Sequence, residues 1–203
     1  MTKRLLDRLS DVSKLHRRAA FVDVNKIIKK HQGSDVFLSL VDRRFSCRAF
    51  SNRPVSATKI QSVLEAGRMA PSAKNLQPTR VWVVSSDEAL AKLRTIHTCY
   101  DAPVVLIVAA DPAKAWVRDC DGKNSADVDA AIVGTHMMMA AADQDLDTVW
   151  IGSFDPARLK ALFPELGTYE PVLLLPVGHA AAQGQPSERH SERQDPAVFA
   201  TEL

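Results

Sequence analysis

The sequence predicts an α+β domain in which helices and strands share one core. Two kinds of run carry that prediction. Apolar residues recur at helical spacing over 56–69 and fill nearly every position of 130–142, the middle of a second helical stretch. By contrast, 80–84, 103–109 and 171–177 are short, almost continuous apolar stretches bounded by proline, glycine or aspartate. A chain of 203 residues with 46% hydrophobic content can bury one substantial core, so one domain with appendages is expected.

Residues 1–34 are expected to form a basic, helical N-terminal arm, with the domain proper over 35–203. Leu5, Leu9, Val12 and Leu15 fall at helical spacing, and nine bases stand against Asp7, Asp11 and Asp23. The arm would pack on the body or on a partner subunit. Membrane contact through it is not expected, because acidic residues interleave and the apolar face is narrow. The formal charge of +2 gives no case for a nucleic-acid partner. Cys47, Cys99 and Cys120 lack CxxC spacing, and neither a secretory leader nor a spanning segment is evident, so a cytoplasmic protein is expected.

A short helix beginning at 36–41 delivers the chain to RRFSCRAF. There Arg44, Ser46 and Arg48 alternate, which puts them on one side of an extended stretch. Guanidinium forks and a hydroxyl suit phosphate oxygens or the carbonyl edge of a heterocycle. A solvated basic loop is the plain alternative. Next, Ser56 can cap a helix whose buried face is Ile60, Val63, Leu64 and Gly67, and Pro71 ends it. The following loop, PSAKNLQP, presents Ser72, Lys74, Asn75 and Gln77, although Ser72 and Asn75 could equally serve the turn itself.

Strands at 80–84 and 103–109 come next, then a polar stretch, 111–125, holding Trp116. Ser125 is a cap candidate for the long helix, with Asp127 and Asp129 in its first turn. That helix is apolar almost all round, which implies burial on several sides or a face toward a second subunit. His136 within it has no second ligand at metal spacing and reads as a hydrogen-bonded core residue, so no metal site is expected. In TVWIGSFD, Gly152 would let the backbone approach a planar ligand, or simply make a turn. Asp155 caps a short helix with Pro156 at its first position, and 171–177 suits the middle of a sheet. From about 179 the composition turns polar, as in an extended arm.

Taken together, Arg44, Ser46, Arg48 and Phe50, then Ala70, Pro71, Ser72, Asn75, Gln77 and Pro78, resemble the FMN-dependent nitroreductase family. That family has an arginine–serine–basic cluster before a helix and an "APS, two residues, N, any, QP" loop after it. The resemblance implies a three-layer fold, with a central, mainly antiparallel sheet flanked by helices, in an intertwined homodimer. It implies FMN held by Arg44, Ser46, Arg48, Pro71, Ser72, Asn75, Ile151, Gly152, Ser153 and Arg193. Gly152 would offer its N–H to the reactive flavin nitrogen, and Arg193 would reach the phosphate from the C-terminal arm. Residues 111–125 would stand where the family has a variable lid, and Trp116 would stack there or merely cover an apolar patch. One departure is plain: Asp145-Leu146-Asp147-Thr148 replaces the family's Gly-Leu-Gly-Thr.

The implied activity is ping-pong. NADH or NADPH reduces FMN and leaves, and a nitroaromatic, quinone or similar small electron-poor acceptor then takes its place. No catalytic side chain is needed, because the chemistry is the cofactor's. No two glycines lie two apart, so there is no GxGxxG and no Rossmann half. Two other readings stay open: a flavoenzyme of the same fold doing reductive dehalogenation or flavin fragmentation, and a flavin-binding or interaction protein with little turnover.

Overall fold

The computed structural model describes residues 36–203. The helix expected over Leu5–Leu15 lies outside the described residues. Two units are distinguished: a body, Leu40–His190, and a second made of Met1–Ser39 with Ser191–Leu203. Residues 179–190 are thus grouped with the body. Ser51 donates through both its N–H and its hydroxyl to the His179 carbonyl, at 2.8 and 3.1 Å, and Ala181 N–H reaches the Ala49 carbonyl at 2.9 Å.

The chain forms α1 (Val36–Arg43), α2 (Ala57–Arg68), β1 (Thr79–Val84), α3 (Asp87–Arg94) and β2 (Val104–Ala110). Then come α4 (Ala126–Asp143), β3 (Asp147–Thr148), α5 (Pro156–Leu162), β4 (Glu170–Gly178) and, in the second unit, α6 (Pro196–Phe199). The sheet has the order β1-β2-β4-β3 and every neighbouring pair is antiparallel. Alternation along the strands builds two cores from one sheet. Leu106, Val108, Leu173 and Leu175 face Ile60, Val63 and Met137 of α2 and α4. Val105, Ile107 and Leu174 face Leu90, Leu93 and Leu159 of α3 and α5. The result is the expected three-layer α+β architecture.

Helix α3 is an addition to the sequence reading. Ser86 caps it by accepting from Ala89 N–H at 3.3 Å, and Asp87 and Glu88 complement the positive end of its dipole. Two caps differ from expectation. Ser56 stands at the N-cap of α2 without a side-chain bond, and Ser125 spends its hydroxyl elsewhere. Helix α4 approaches the sheet through Gly134, where a Cβ would lie 2.8 Å from the Trp150 ring and 2.9 Å from Leu173. Its other side is left partly open among the described residues. Val128, Thr135 and His136 are exposed, and Ile132 and Met139 only partly buried. His136 is thus not a core residue; its Nδ1 lies 2.9 Å from the Ile132 carbonyl, one turn back on the exposed face.

Candidate functional site

The arginine segment runs along the β3 edge of the sheet. Ser46 bridges Thr148 in parallel, Cys47 N–H donates to the Thr148 carbonyl at 2.9 Å, and Phe50 bridges Ala180. Between the two exposed-side cations the Cys47 side chain turns inward, and burial pushes its thiol up, away from reactive thiolate. Arg44 is partly buried and Arg48 exposed, and neither has a carboxylate partner among the described residues. Among the described residues Arg48 makes one hydrogen bond, to the Ser46 carbonyl at 3.3 Å. Their charge is therefore uncommitted. By contrast, the neighbouring Arg43 is engaged: it donates to the Ala142 carbonyl at the end of α4 at 2.8 Å and pairs with Asp145.

The same strand edge leads to Ile151–Gly152–Ser153. Ile151 exchanges both backbone bonds with Leu174 at 3.0 Å and buries its side chain. It can fix its neighbour but has no backbone group left to offer. Gly152 and Ser153 are exposed. A Cβ on Gly152 would meet nothing within 4 Å, and its φ lies outside the left-handed region. Among the described residues, neither packing nor conformation requires a glycine there.

The loop Pro71–Pro78 sits at the other edge, before β1. Ser72 folds it, its hydroxyl accepting from Gln77 N–H at 2.9 Å and its carbonyl from Asn75 N–H at 2.9 Å. Gln77 Nε2 donates to Asn75 Oδ1 at 3.1 Å, which leaves the Asn75 amide nitrogen without a bond to any described residue. Lys74, Asn75 and Gln77 have φ of 50°, 55° and 50°, a left-handed conformation that costs a non-glycine residue about 1 kcal/mol or more. Holding that shape needs an anchor, and Asp129 is one. Its buried carboxylate accepts from Ala73 N–H at 2.9 Å and from the Ser125 hydroxyl at 2.8 Å. Sequence reasoning saw Asp129 only as a first-turn acid. A groove of about 360 Å³ beside the loop is lined by Leu64, Ser72, Gln77, Val81 and Val133.

The two motifs do not meet within one chain. Helix α4 holds both: Asp129 near its start grips the loop, and the Ala142 carbonyl near its end takes Arg43. A helix rises roughly 1.5 Å per residue, which sets these anchor points about 20 Å apart. Arg44, Ser46 and Arg48 thus share a neighbourhood with Ile151–Ser153, whereas Pro71, Ser72 and Asn75 form a separate cluster. Arg193 belongs to the second unit, where its guanidinium donates to the Glu192 carbonyl at 2.6 Å. Residues 111–125 fold back through a Val117–Asn124 bridge, and Lys74 Nζ lies over the Trp116 ring, 5.8 Å from its centroid. No group of three or more acidic, histidine or cysteine side chains could hold a metal among the described residues, and no described helix is long and apolar enough to cross a membrane.

A family model described as the nitroreductase family matches residues 41–99 and 95–179. The chain belongs to the nitroreductase family. Among its relatives, a protein of Archaeoglobus fulgidus provisionally named an NADH dehydrogenase/NAD(P)H nitroreductase is 30% identical over 151 residues, covering 69% of this chain and 81% of that one. A nitroreductase family protein of Clostridium difficile 630, 34% identical, superposes with a TM-score of 0.76 over 81% of this chain and 96% of its own. At 24% identity, and so informative for fold alone, a protein of Exiguobacterium sibiricum provisionally called a nitroreductase gives a TM-score of 0.72 over 85% and 99%; it was solved in complex with FMN.

Proposed function

We propose that this nitroreductase-family protein is an FMN-dependent NAD(P)H oxidoreductase that reduces nitroaromatics, quinones or similar electron-poor compounds by a ping-pong hydride mechanism, and that it works as a homodimer. The observation that carries this reading is the separation of the two motifs. Each chain holds two unlike half-sites whose anchors on α4 lie about 20 Å apart, so one complete site would draw the arginine cluster from one copy and the Pro71–Pro78 loop from another. The partly open apolar side of α4, with Val128, Ile132 and Met139, supports a second copy as its cover.

The donor set fits FMN. Arg44 and Ser46 have an uncommitted charge and a hydroxyl for the phosphate and ribityl chain, with Arg193 as the C-terminal candidate for the phosphate. Arg48 would face the pyrimidine carbonyl edge, where a cation favours added negative charge on the ring. Ser72 and the unspent Asn75 amide would hold the ring's other side from the second chain, with Pro71 fixing the loop. Gly152 would bring a backbone N–H close, with Ser153 beside it and Ile151 holding both in place. A glycine that the described residues do not require supports close approach of something else. FMN, when bound, supplies the two-electron chemistry. The names of the NAD(P)H-dependent relatives and the FMN of the Exiguobacterium protein point the same way.

The visible absorption spectrum of the purified protein tests this, recorded before and after anaerobic NADH or NADPH. The expected result is a flavin spectrum that bleaches and recovers when menadione is added. No flavin after incubation with FMN would overturn the reading.

A further inference from the structure

The family pattern leaves Lys74 free to vary, and 111–125 is the variable lid of the resemblance. In this chain the two variable features touch: the Lys74 ammonium lies over the Trp116 ring. A closed circuit holds them together. Ala73 N–H is bonded to Asp129, Asp129 to the Ser125 hydroxyl, and Ser125 N–H to the Trp116 carbonyl at 2.9 Å. Lys74 is therefore a cation with its backbone fixed on one side and its side chain leaning on a platform fixed on the other.

Two observations say that this cation is not there to balance the chain's own charge. No carboxylate pairs with Lys74 among the described residues, and its side chain is exposed. The Trp116 indole N–H, moreover, is buried without an acceptor among the described residues, so the lid is not saturated by its own contacts. A surface lysine needs neither a left-handed backbone, φ 50°, nor an aromatic rest. Preorganised cations of this kind recognise anions because little side-chain freedom is lost on binding.

Resting on the flavin-oxidoreductase reading above, we propose that Lys74, positioned by Trp116, selects aromatic electron acceptors that carry an anionic substituent such as a carboxylate. The reducible group would lie toward the cofactor and the anion toward Lys74. Trp116 is a positioning residue, acting through the lysine.

The test uses the full-length, FMN-loaded protein and compares kcat/KM for 4-nitrobenzoate with that for its uncharged methyl ester. The ratio of acid to ester is expected to fall about tenfold in Lys74→Met, to survive in Lys74→Arg and to shrink with added salt. Lys74→Glu should push it lower still. Trp116→Ala should lower the ratio partly, and Trp116→Phe, which keeps an aromatic face, less. Calorimetric titration with benzoate, which cannot be reduced, gives an independent reading: its affinity should drop with the ratio in Lys74→Met. Equal ratios and equal benzoate affinities in wild type and Lys74→Met, with menadione still reduced, would overturn the role of Lys74 alone. Failure to reduce menadione or either nitro compound would overturn the oxidoreductase reading and this inference with it.

Discussion

Asp129 and Ala73 are joined by a hydrogen bond of 2.9 Å from the loop backbone to a buried helix carboxylate. The acceptor's other oxygen is taken by the Ser125 hydroxyl at 2.8 Å, so both carboxylate oxygens are in use. Since Lys74, Asn75 and Gln77 are all left-handed, the loop needs such external restraint to keep its shape.

Replacing Asp129 by alanine strands a backbone N–H and a hydroxyl, and is expected to lower unfolding stability by roughly 1–3 kcal/mol. Asp129→Asn, which retains an acceptor for Ala73, should lose less. Urea unfolding measures both, and FMN titration of the same variants should show weaker binding for alanine. Unchanged midpoints would mean that the loop holds itself.

Gly152→Ala separates fold from function. Its Cβ meets open space in the chain, so stability should stay within about 0.5 kcal/mol of wild type. If the glycine serves a closely approaching flavin, FMN affinity should fall at least about tenfold, or roughly 1.4 kcal/mol. Fluorescence titration with FMN decides; unaltered affinity would make Gly152 an ordinary turn residue.

At Asp145 the chain adopts φ 53° where the family pattern has glycine. The turn survives: Leu146 N–H still reaches the Ala141 carbonyl at 2.9 Å. Asp145→Gly should raise the thermal midpoint slightly, because relief of about 1 kcal/mol of backbone strain outweighs an exposed pair with Arg43 worth less than that. Asp145→Val, β-branched in a left-handed position, should lower stability by about 1–2 kcal/mol.

His179 sets a pH dependence. Burial, and then the charges of Arg53 and Lys59, hold its imidazole below the ordinary value of 6.5. Between the lowered folded value and 6.5 the unfolded chain binds more protons, so stability rises with pH across that window and is lost as pH falls through it. Unfolding midpoints in buffers from pH 5 to 8 should slope upward, and the slope should flatten in His179→Asn. A slope of opposite sign would contradict the assignment.

Much of this was legible in the sequence. The apolar runs located the three long strands and the α2 and α4 helices because burial on both faces of a sheet leaves no room for polar residues. Asp155 and Pro156 announced α5, and Asp155 does accept from Arg158 N–H at 3.0 Å. Helix α3 carries a short signal, Ser86-Asp87-Glu88 before Leu90 and Leu93, too brief for apolar periodicity to single out. What could not be read is what depends on distance. Sequence spacing joins the Arg44–Arg48 cluster to Ser72 and Asn75 through one short helix, yet that helix and α4 carry them to opposite edges of the sheet. Nor could sequence show that Ser125 would give up a capping role to steady Asp129, or that α4 would leave His136 outside.

The parting of the two motifs bears on inheritance and mixing. Under the dimer reading, a subunit crippled at Arg48 and one crippled at Asn75 are each inactive alone, because every site in their own dimers lacks one necessary group. Co-expressed, they would form mixed pairs in which one site collects both defects and the other collects none. Random assortment would then restore about a quarter of the wild-type activity from two dead proteins, an outcome that two lesions in a single-chain site could never give.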